Sequence, residues 1–270
     1  WDIHVSANAT FIKNKLVKLP ETMSKNGYIS GSKKWMEGRS IYEFWLRQWY
    51  GVDPKTGDGL YYLDTQAYND ADGTLSQAVK ATLVEINGQQ LTNSYQYAKY
   101  DFSGSAIPKV FGGFNFRIGY RAFDLAATFS YQLGGKLLDL NYATMMDLSN
   151  FGYAMSPDLE RAWKQPGDVT DVPRIDNNST HSTNIGQNYS TRWLTSSDYL
   201  NLRSISLGYQ LPENLLNKIM IKSARLNLTA ENLFMLKARQ GLNPMANYSG
   251  ITYNEYMPSR NITIGLNVSF

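Results

Sequence analysis

The chain contains no cysteine. That excludes disulfide frameworks, cysteine-rich zinc sites and thiol catalysis, and leaves the compartment open. Histidine is nearly as scarce. His4 and His181 are the only two; they lie far apart and have no metal-spaced partner, so they read as surface or lumen residues rather than ligands. Charged residues make up 18%, against about 25% in soluble domains. The net charge of +3 gathers in no basic block, so nucleic acid is a poor partner. No run approaches the roughly 18 uncharged apolar residues of a membrane-spanning helix. A membrane, if one is involved, must be crossed by strands.

What is present points that way. Of 270 residues, 43% are hydrophobic and 13% aromatic, with 19 tyrosines, a composition suited to interfacial girdles. A mean hydropathy of -0.39 is compatible with strands that alternate and carry polar loops. The stretch Ser259–Phe270 alternates throughout. Ile262, Ile264, Leu266, Val268 and Phe270 fall on one face, and Asn261, Thr263, Gly265, Asn267 and Ser269 on the other. A period of two makes this a strand with one apolar and one small polar face. The pattern predicts that the apolar stripe faces lipid, with the strand running down to a periplasmic end at Phe270.

Seven further stretches read as strands: 1–11, 41–50, 59–64, 110–120, 123–133, 199–211 and 223–236. In 199–211 the alternation breaks, because Asn201 and Arg203 share parity with Ile205, Leu207, Tyr209 and Leu211; a bulge, or a position above the apolar band, is expected there. Pro212–Ile219, with Leu215, Leu216 and Ile219 on one side, is a brief helix candidate. The intervening segments alternate in length. Long ones (14–39, 65–108, 135–198, 237–258) follow short ones (51–58, 121–122, 212–222), as in an up-and-down outer-membrane barrel. A strand of about 11 residues, tilted by about 40°, spans the apolar band of about 25 Å. The expected fold is therefore all-β: an antiparallel up-and-down transmembrane β-barrel with eight strands here. These either close a small barrel or form the last strands of a larger one. Two other readings stay open: a self-contained eight-stranded outer-membrane barrel, structural or hydrolytic, and a soluble carbohydrate-binding β-sandwich.

Several blocks carry a family resemblance. Asp198-Tyr199-Leu200-Asn201-Leu202-Arg203 running to Leu207-Gly208-Tyr209-Gln210-Leu211-Pro212, then Ala230-Glu231-Asn232-Leu233-Phe234, Gly241-Leu242-Asn243-Pro244, Gly51-Val52-Asp53-Pro54-Lys55-Thr56-Gly57 and Ile107-Pro108-Lys109-Val110-Phe111-Gly112-Gly113-Phe114 resemble, in order, the C-terminal region of SusC/RagA-type TonB-dependent outer-membrane transporters. So does Pro258-Ser259-Arg260 leading into the last strand. The resemblance implies a bacterial outer-membrane location and a large plugged barrel importing oligosaccharides or peptides. It further implies a SusD-like surface lipoprotein as partner and energy supplied through TonB. On this reading residues 1–270 are the C-terminal segment of the barrel. The plug and the TonB-binding segment would precede Trp1 on a remaining N-terminal portion, the chain being processed or partial.

No catalytic constellation occurs, and no enzyme activity, cofactor or metal is expected. The acidic turn Asn69–Gly73 lacks the distant Glu of an EF-hand and reads as a plain turn before a calcium loop. The glycine pairs at 112–113 and 134–135 precede no helix and cradle no phosphate. Trp163, Tyr189 and Trp193, in or beside the longest loop, are the candidate substrate-binding residues, because a sugar ring stacks on aromatic faces. The competing reading is that these rings pack the loop on itself or anchor the membrane interface.

Overall fold

The computed structural model describes residues 1–69, 73–147, 152–176, 185–186, 189–217, 220–246, 248–253 and 255–270. His181 and the central residues of the 69–73 turn lie outside them. Six long strands form one sheet: β1 (Asp2–Phe11), β2 (Val110–Tyr120), β3 (Phe123–Leu133), β4 (Tyr199–Gln210), β5 (Ser223–Lys237) and β6 (Asn261–Ser269). They are bonded in chain order, each antiparallel to the next. Short turns at 121–122 and 211–222 lie at one end of the sheet. All three long connections (12–109, 134–198 and 238–260) lie at the other.

Eight strands were expected, and six are found in this sheet. The two displaced runs fall within the first long connection, where Glu43–Arg47 and Gly59–Tyr62 belong to separate four-stranded sheets. Runs this short cannot cross an apolar band of about 25 Å, so the 51–58 turn is no barrel turn. The sheet does not close on itself, because β1 and β6 are its two edges. The helix candidate shrinks to Glu213–Leu216, with Leu216 buried; residues 218–219 lie outside the described ones. No described helix is long and apolar enough to cross a membrane.

The alternation reads directly onto the register. One row across the strands is Ile3, Ile118, Leu125, Leu207, Leu228 and Ile264; the next is Tyr120, Phe123, Tyr209, Leu226 and Leu266. The apolar stripes of the six strands thus merge into one face. The expected bulge is present. Thr128 pairs with Ser204 but Phe129 with Leu202, so Arg203 is skipped. The extra residue switches the parity, and Leu200 and Leu202 join the face of Ile205, Leu207 and Tyr209. On β5, pairing passes from Glu231 to Phe234, and Asn232 takes φ 52°, a left-handed conformation that Asn tolerates.

Two glycines permit close approach. A Cβ on Gly112 would lie 2.1 Å from the carbonyl oxygen of Asn8. Its cross-strand partner is Tyr131, whose hydroxyl donates to that same oxygen at 3.1 Å. A Cβ on Gly134, at φ 84°, would press on the Lys109 side chain.

The main buried cluster is not on this sheet. It comprises Phe44, Leu46, Ala106, Leu138, Leu140, Ala143, Met146, Ala162, Val172 and Trp193, all within the first two long connections. A sheet that turns its apolar face outward has no interior to fill, so the apolar side chains of the connections bury one another instead. A three-stranded sheet joins the second and third connections: Leu194–Ser196, Lys136–Asp139 and Ile251–Thr252. Polar clasps complete the body. The Lys33 ammonium donates to the Ser249 carbonyl, the Trp163 indole to the Pro54 carbonyl at 3.0 Å, and Arg174 pairs with Asp58 at 3.1 Å. These clasps explain the Gly51–Gly57 block. Asp53 accepts from the Lys55 amide at 2.8 Å to fold the turn, and Gly57, at φ 75°, leaves room for the Trp163 ring.

Candidate functional site

The sheet offers two different surfaces. On the apolar face the side chains stand free: Ile264 is 73% exposed, Val5 73%, Leu266 61% and Ile262 69%. Val268 and Phe270 continue the same stripe. Aromatic rings gather at its short-turn end, where Trp1 stacks on Tyr120 at 4.3 Å and Phe123 on Tyr209 at 4.5 Å. The opposite face is polar and internally bonded. Arg225 pairs with Asp124 across the sheet and donates to Asn227 at 2.9 Å; Ser6 donates to Asn115 at 3.0 Å. Arg117 shares this face.

Within the body formed by the connections lies a cavity of about 430 Å³. Its walls come from residues 139–145, 156–158, 239–243 and 252–255, so the second and third connections both contribute. Asp139 organises it. This residue is 4% exposed and caps the helix Leu140–Met145 by accepting from the Tyr142 amide at 2.9 Å, as a carboxylate at a helix start does. It also accepts from the Thr252 hydroxyl at 3.2 Å and pairs with Arg239. The Arg239 guanidinium lies 3.4 Å over the centre of the Tyr142 ring, a cation–π contact strengthened by desolvation. Burial lowers the Arg239 pKa to about 10. Tyr142 in turn donates its hydroxyl to Asp158 at 2.6 Å. Burial, with the Asp158 hydrogen bond and charge added, pushes that hydroxyl up to about 12. The charges of Asp139, Arg239 and Asp158 are thus each answered by a neighbour, and the Glu255 carboxylate, also in the wall, accepts from the Tyr253 amide at 3.1 Å. Among the described residues, no group of three acidic, histidine or cysteine side chains is placed to hold a metal.

The residues singled out from sequence do not gather here. Trp193 is 3% exposed within the core cluster, edge-on to Tyr142 at 5.8 Å; a ring so placed offers no face to a ligand. Trp163 is half-buried and held by its indole hydrogen bond to Pro54. Tyr189 is 38% exposed, and its carbonyl accepts from the Arg47 amide at 3.3 Å. Trp163 and Trp193 are thus packed within the connections, and Tyr189 is the most exposed of the three. Asp139, Tyr142 and Arg239 were not singled out. The signal for them was faint: an Asp three residues before Tyr142, and a lone Arg beside the Gly241-Leu242-Asn243-Pro244 block.

No family model matches the chain. Three curated relatives do, all from Formosa agariphila, and two of them cover nearly the whole chain. TonB-dependent receptor P39 is 28% identical over 304 residues, covering 98% of this chain and 28% of its own length. TonB-dependent receptor P3 is 29% identical, covering 96% of this chain and 26% of its own length. Among solved structures, that of the RagAB peptide transporter superposes over 99% of this chain with a TM-score of 0.74 and 25% identity. The chain is thus similar to TonB-dependent receptors and to the RagAB peptide transporter, in agreement with the SusC/RagA resemblance of its sequence blocks. A second structure, of the RagAB peptide importer in a closed-closed state, gives a TM-score of 0.71 over the same 99%. The chain spans about a quarter of the length of the curated receptors it matches. Those relatives are named as receptors and transporters rather than enzymes.

Proposed function

We propose that this chain forms part of the barrel wall and the external loops of a TonB-dependent outer-membrane importer. The observation that carries this reading is the sheet itself. Six long strands present one continuous apolar face, much of it exposed among the described residues, while the polar face is cross-bonded and the main buried cluster sits in the connections. Water would oppose such a surface; lipid matches it. Ile262, Ile264, Leu266, Val268 and Phe270 then face lipid, and Trp1, Tyr120, Phe123 and Tyr209 form an interfacial girdle at the periplasmic end. Both sheet edges carry unpaired backbone groups, each costing several kcal/mol if left so in hydrocarbon. Strands from the remaining N-terminal portion pair them and complete a larger barrel. That portion also supplies the plug and the contact with TonB.

The whole protein performs no covalent chemistry. Its external loops capture an oligosaccharide or peptide beneath a SusD-like lipoprotein, and TonB-driven plug movement releases it inward. A soluble sandwich would need a second sheet over the apolar face, and a self-contained barrel would need β1 paired with β6; neither arrangement is found among the described residues. Uptake by cells carrying the complete protein tests the reading. Import should cease when TonB is deleted, and the protein should fractionate with the outer membrane. TonB-independent uptake, or a water-soluble protein, would sink it.

A further inference from the structure

A second cavity, of about 440 Å³, lies where the long-connection end of β4 and β5 meets the third connection. Its size falls within the roughly 300–1,000 Å³ of small-molecule sites, and it touches the first cavity at Gln240 and Gly241. Beyond the bulge, Leu200 and Leu202 pair with Leu236 and Phe234 on the apolar face. Asn201, paired with Met235, and Tyr199, paired with Lys237, therefore turn to the polar face. Met257, Pro258 and Arg260 close the cavity from the connection.

The charge of this cavity is one-sided. Lys237 and Arg260 line it, and no aspartate or glutamate does. The acidic side chains nearest in sequence are engaged elsewhere: Glu231 accepts from the Asn261 amide at 3.3 Å, and Glu255 lines the first cavity. The Lys237 ammonium donates to the Leu242 carbonyl at 2.8 Å and to the Met257 thioether at 3.2 Å. A thioether is a weak acceptor and an ammonium has three protons, so one donor is left over. Arg260 is exposed and makes no ion pair among the described residues. Asn201 is only 2% exposed, yet its side-chain amide has a single contact there, to Asn232 at 3.5 Å, which is too long for a good hydrogen bond. A buried amide so poorly satisfied is costly, and an anion bound beside Lys237 would supply its acceptor.

The remaining wall restricts which anion fits. Phe234, Met235, Met257 and Pro258 are apolar. Phosphate or sulfate carries oxygens on every side and would press charge against these groups. A carboxylate carries its oxygens at one end and leaves the rest of the molecule apolar. One thioether comes from the sheet and the other from the connection, and sulfur makes favourable contacts with aromatic rings.

We propose that this cavity binds an aromatic monocarboxylate. The carboxylate accepts from the Lys237 ammonium and the Asn201 amide, Arg260 attracts it at the rim, and the ring lies between Met235 and Met257. This goes beyond the importer reading above and does not depend on it.

The test uses the complete protein in phospholipid nanodiscs, with empty nanodiscs subtracted to remove partition into lipid. Calorimetric titration compares benzoate, its neutral isostere benzamide, and inorganic phosphate. Benzoate should bind saturably, at least about tenfold more tightly than either of the others, as a hydrogen bond to a charged group allows. Lys237→Met should erase that preference and Lys237→Arg should keep it. Arg260→Gln should weaken benzoate about threefold, as an exposed charge does, and most at low salt. The distant Val169→Ala should change nothing. Arg260 is exposed, so its variant should melt with the parent; should Lys237→Met melt lower, Arg260→Gln and the comparison of acid with amide still decide. Equal affinity for benzoate and benzamide, tighter binding of phosphate, or benzoate affinity untouched by both Lys237→Met and Arg260→Gln overturns the proposal. So does an absence of binding, the result expected if an acidic side chain from elsewhere in the complete protein fills the cavity. Each of those results leaves the importer reading standing, since TonB-dependent uptake is measured separately.

Discussion

Placing an arginine on the last strand tests the lipid-facing assignment at single-residue resolution. The stripe from Ile262 to Phe270 advances by roughly 3.4 Å per residue along a strand tilted about 40°, which gives a height of roughly 21 Å. Leu266 is its central member, about 10 Å from either end. Leu266 is also 61% exposed, so removing the leucine leaves little cavity, and desolvation of the guanidinium dominates. Leu266→Arg should therefore lower stability by about 2–4 kcal/mol, and Ile262→Arg, towards the interface, by about 0–1 kcal/mol. The control belongs on the other face. Asn267 is unsuitable because Arg225 lies directly opposite, and like charges across strands repel. Thr263, opposite Thr229, has no such neighbour; Thr263→Arg should cost well under 1 kcal/mol. The assay is reversible denaturant unfolding of the complete barrel in phospholipid vesicles. Equal losses for Leu266→Arg and Thr263→Arg would refute the orientation of the sheet.

Three further changes probe the local arguments. Gly112→Ala drives a methyl into the Asn8 carbonyl and should cost about 1–3 kcal/mol, seen as faster hydrogen exchange along β1; unchanged exchange would contradict the close approach. Arg239→Met leaves the Asp139 carboxylate buried without its cation, at about 3–5 kcal/mol, and limited proteolysis should then cut within 238–260; an equally resistant variant would show that the pair holds nothing. The Tyr142 hydroxyl titrates near 12 when folded, against 10.0 for the free side chain. A raised pKa means that its contribution is complete below pH 10 and is lost as pH climbs towards 12. Tyr142→Phe should lower stability by about 1 kcal/mol at neutral pH and flatten that alkaline loss; an alkaline loss identical to the parent's would implicate another group.

The long strands were legible because each carries one apolar face over nine or more residues, long enough for a period of two to stand out. The bulge was legible too, since Arg203 interrupts a stripe that resumes in the other phase. The connections were not. Tyr28–Ser30, Lys33–Trp35 and Leu83–Ile86 are too short for a periodicity, and their pairing depends on partners far along the chain. The run 41–50 misled for the opposite reason. Trp45 and Arg47 line one side of a small sheet and Phe44 and Leu46 the buried side, a pattern that a membrane strand would share. The candidate site was invisible because Asp139 meets Arg239 across a hundred positions of sequence, and no spacing rule reaches that far. Aromatic residues in a loop drew attention instead, and the buried ring of Trp193 illustrates how often such residues serve packing.

The joining of the connections at one end also sets an order of events in folding. Leu138 pairs with Ile251, and Lys33 reaches Ser249, so the external body cannot be finished until the segment just before β6 has arrived. Contacts of such long sequence separation are slow to form. Until then, Lys136–Asp139 has only Leu194–Ser196 beside it, and Asp139 waits for its arginine. Completion of the body formed by the connections should therefore come late and all together, as a single cooperative step set by the arrival of residues 249–252 at the earlier connections.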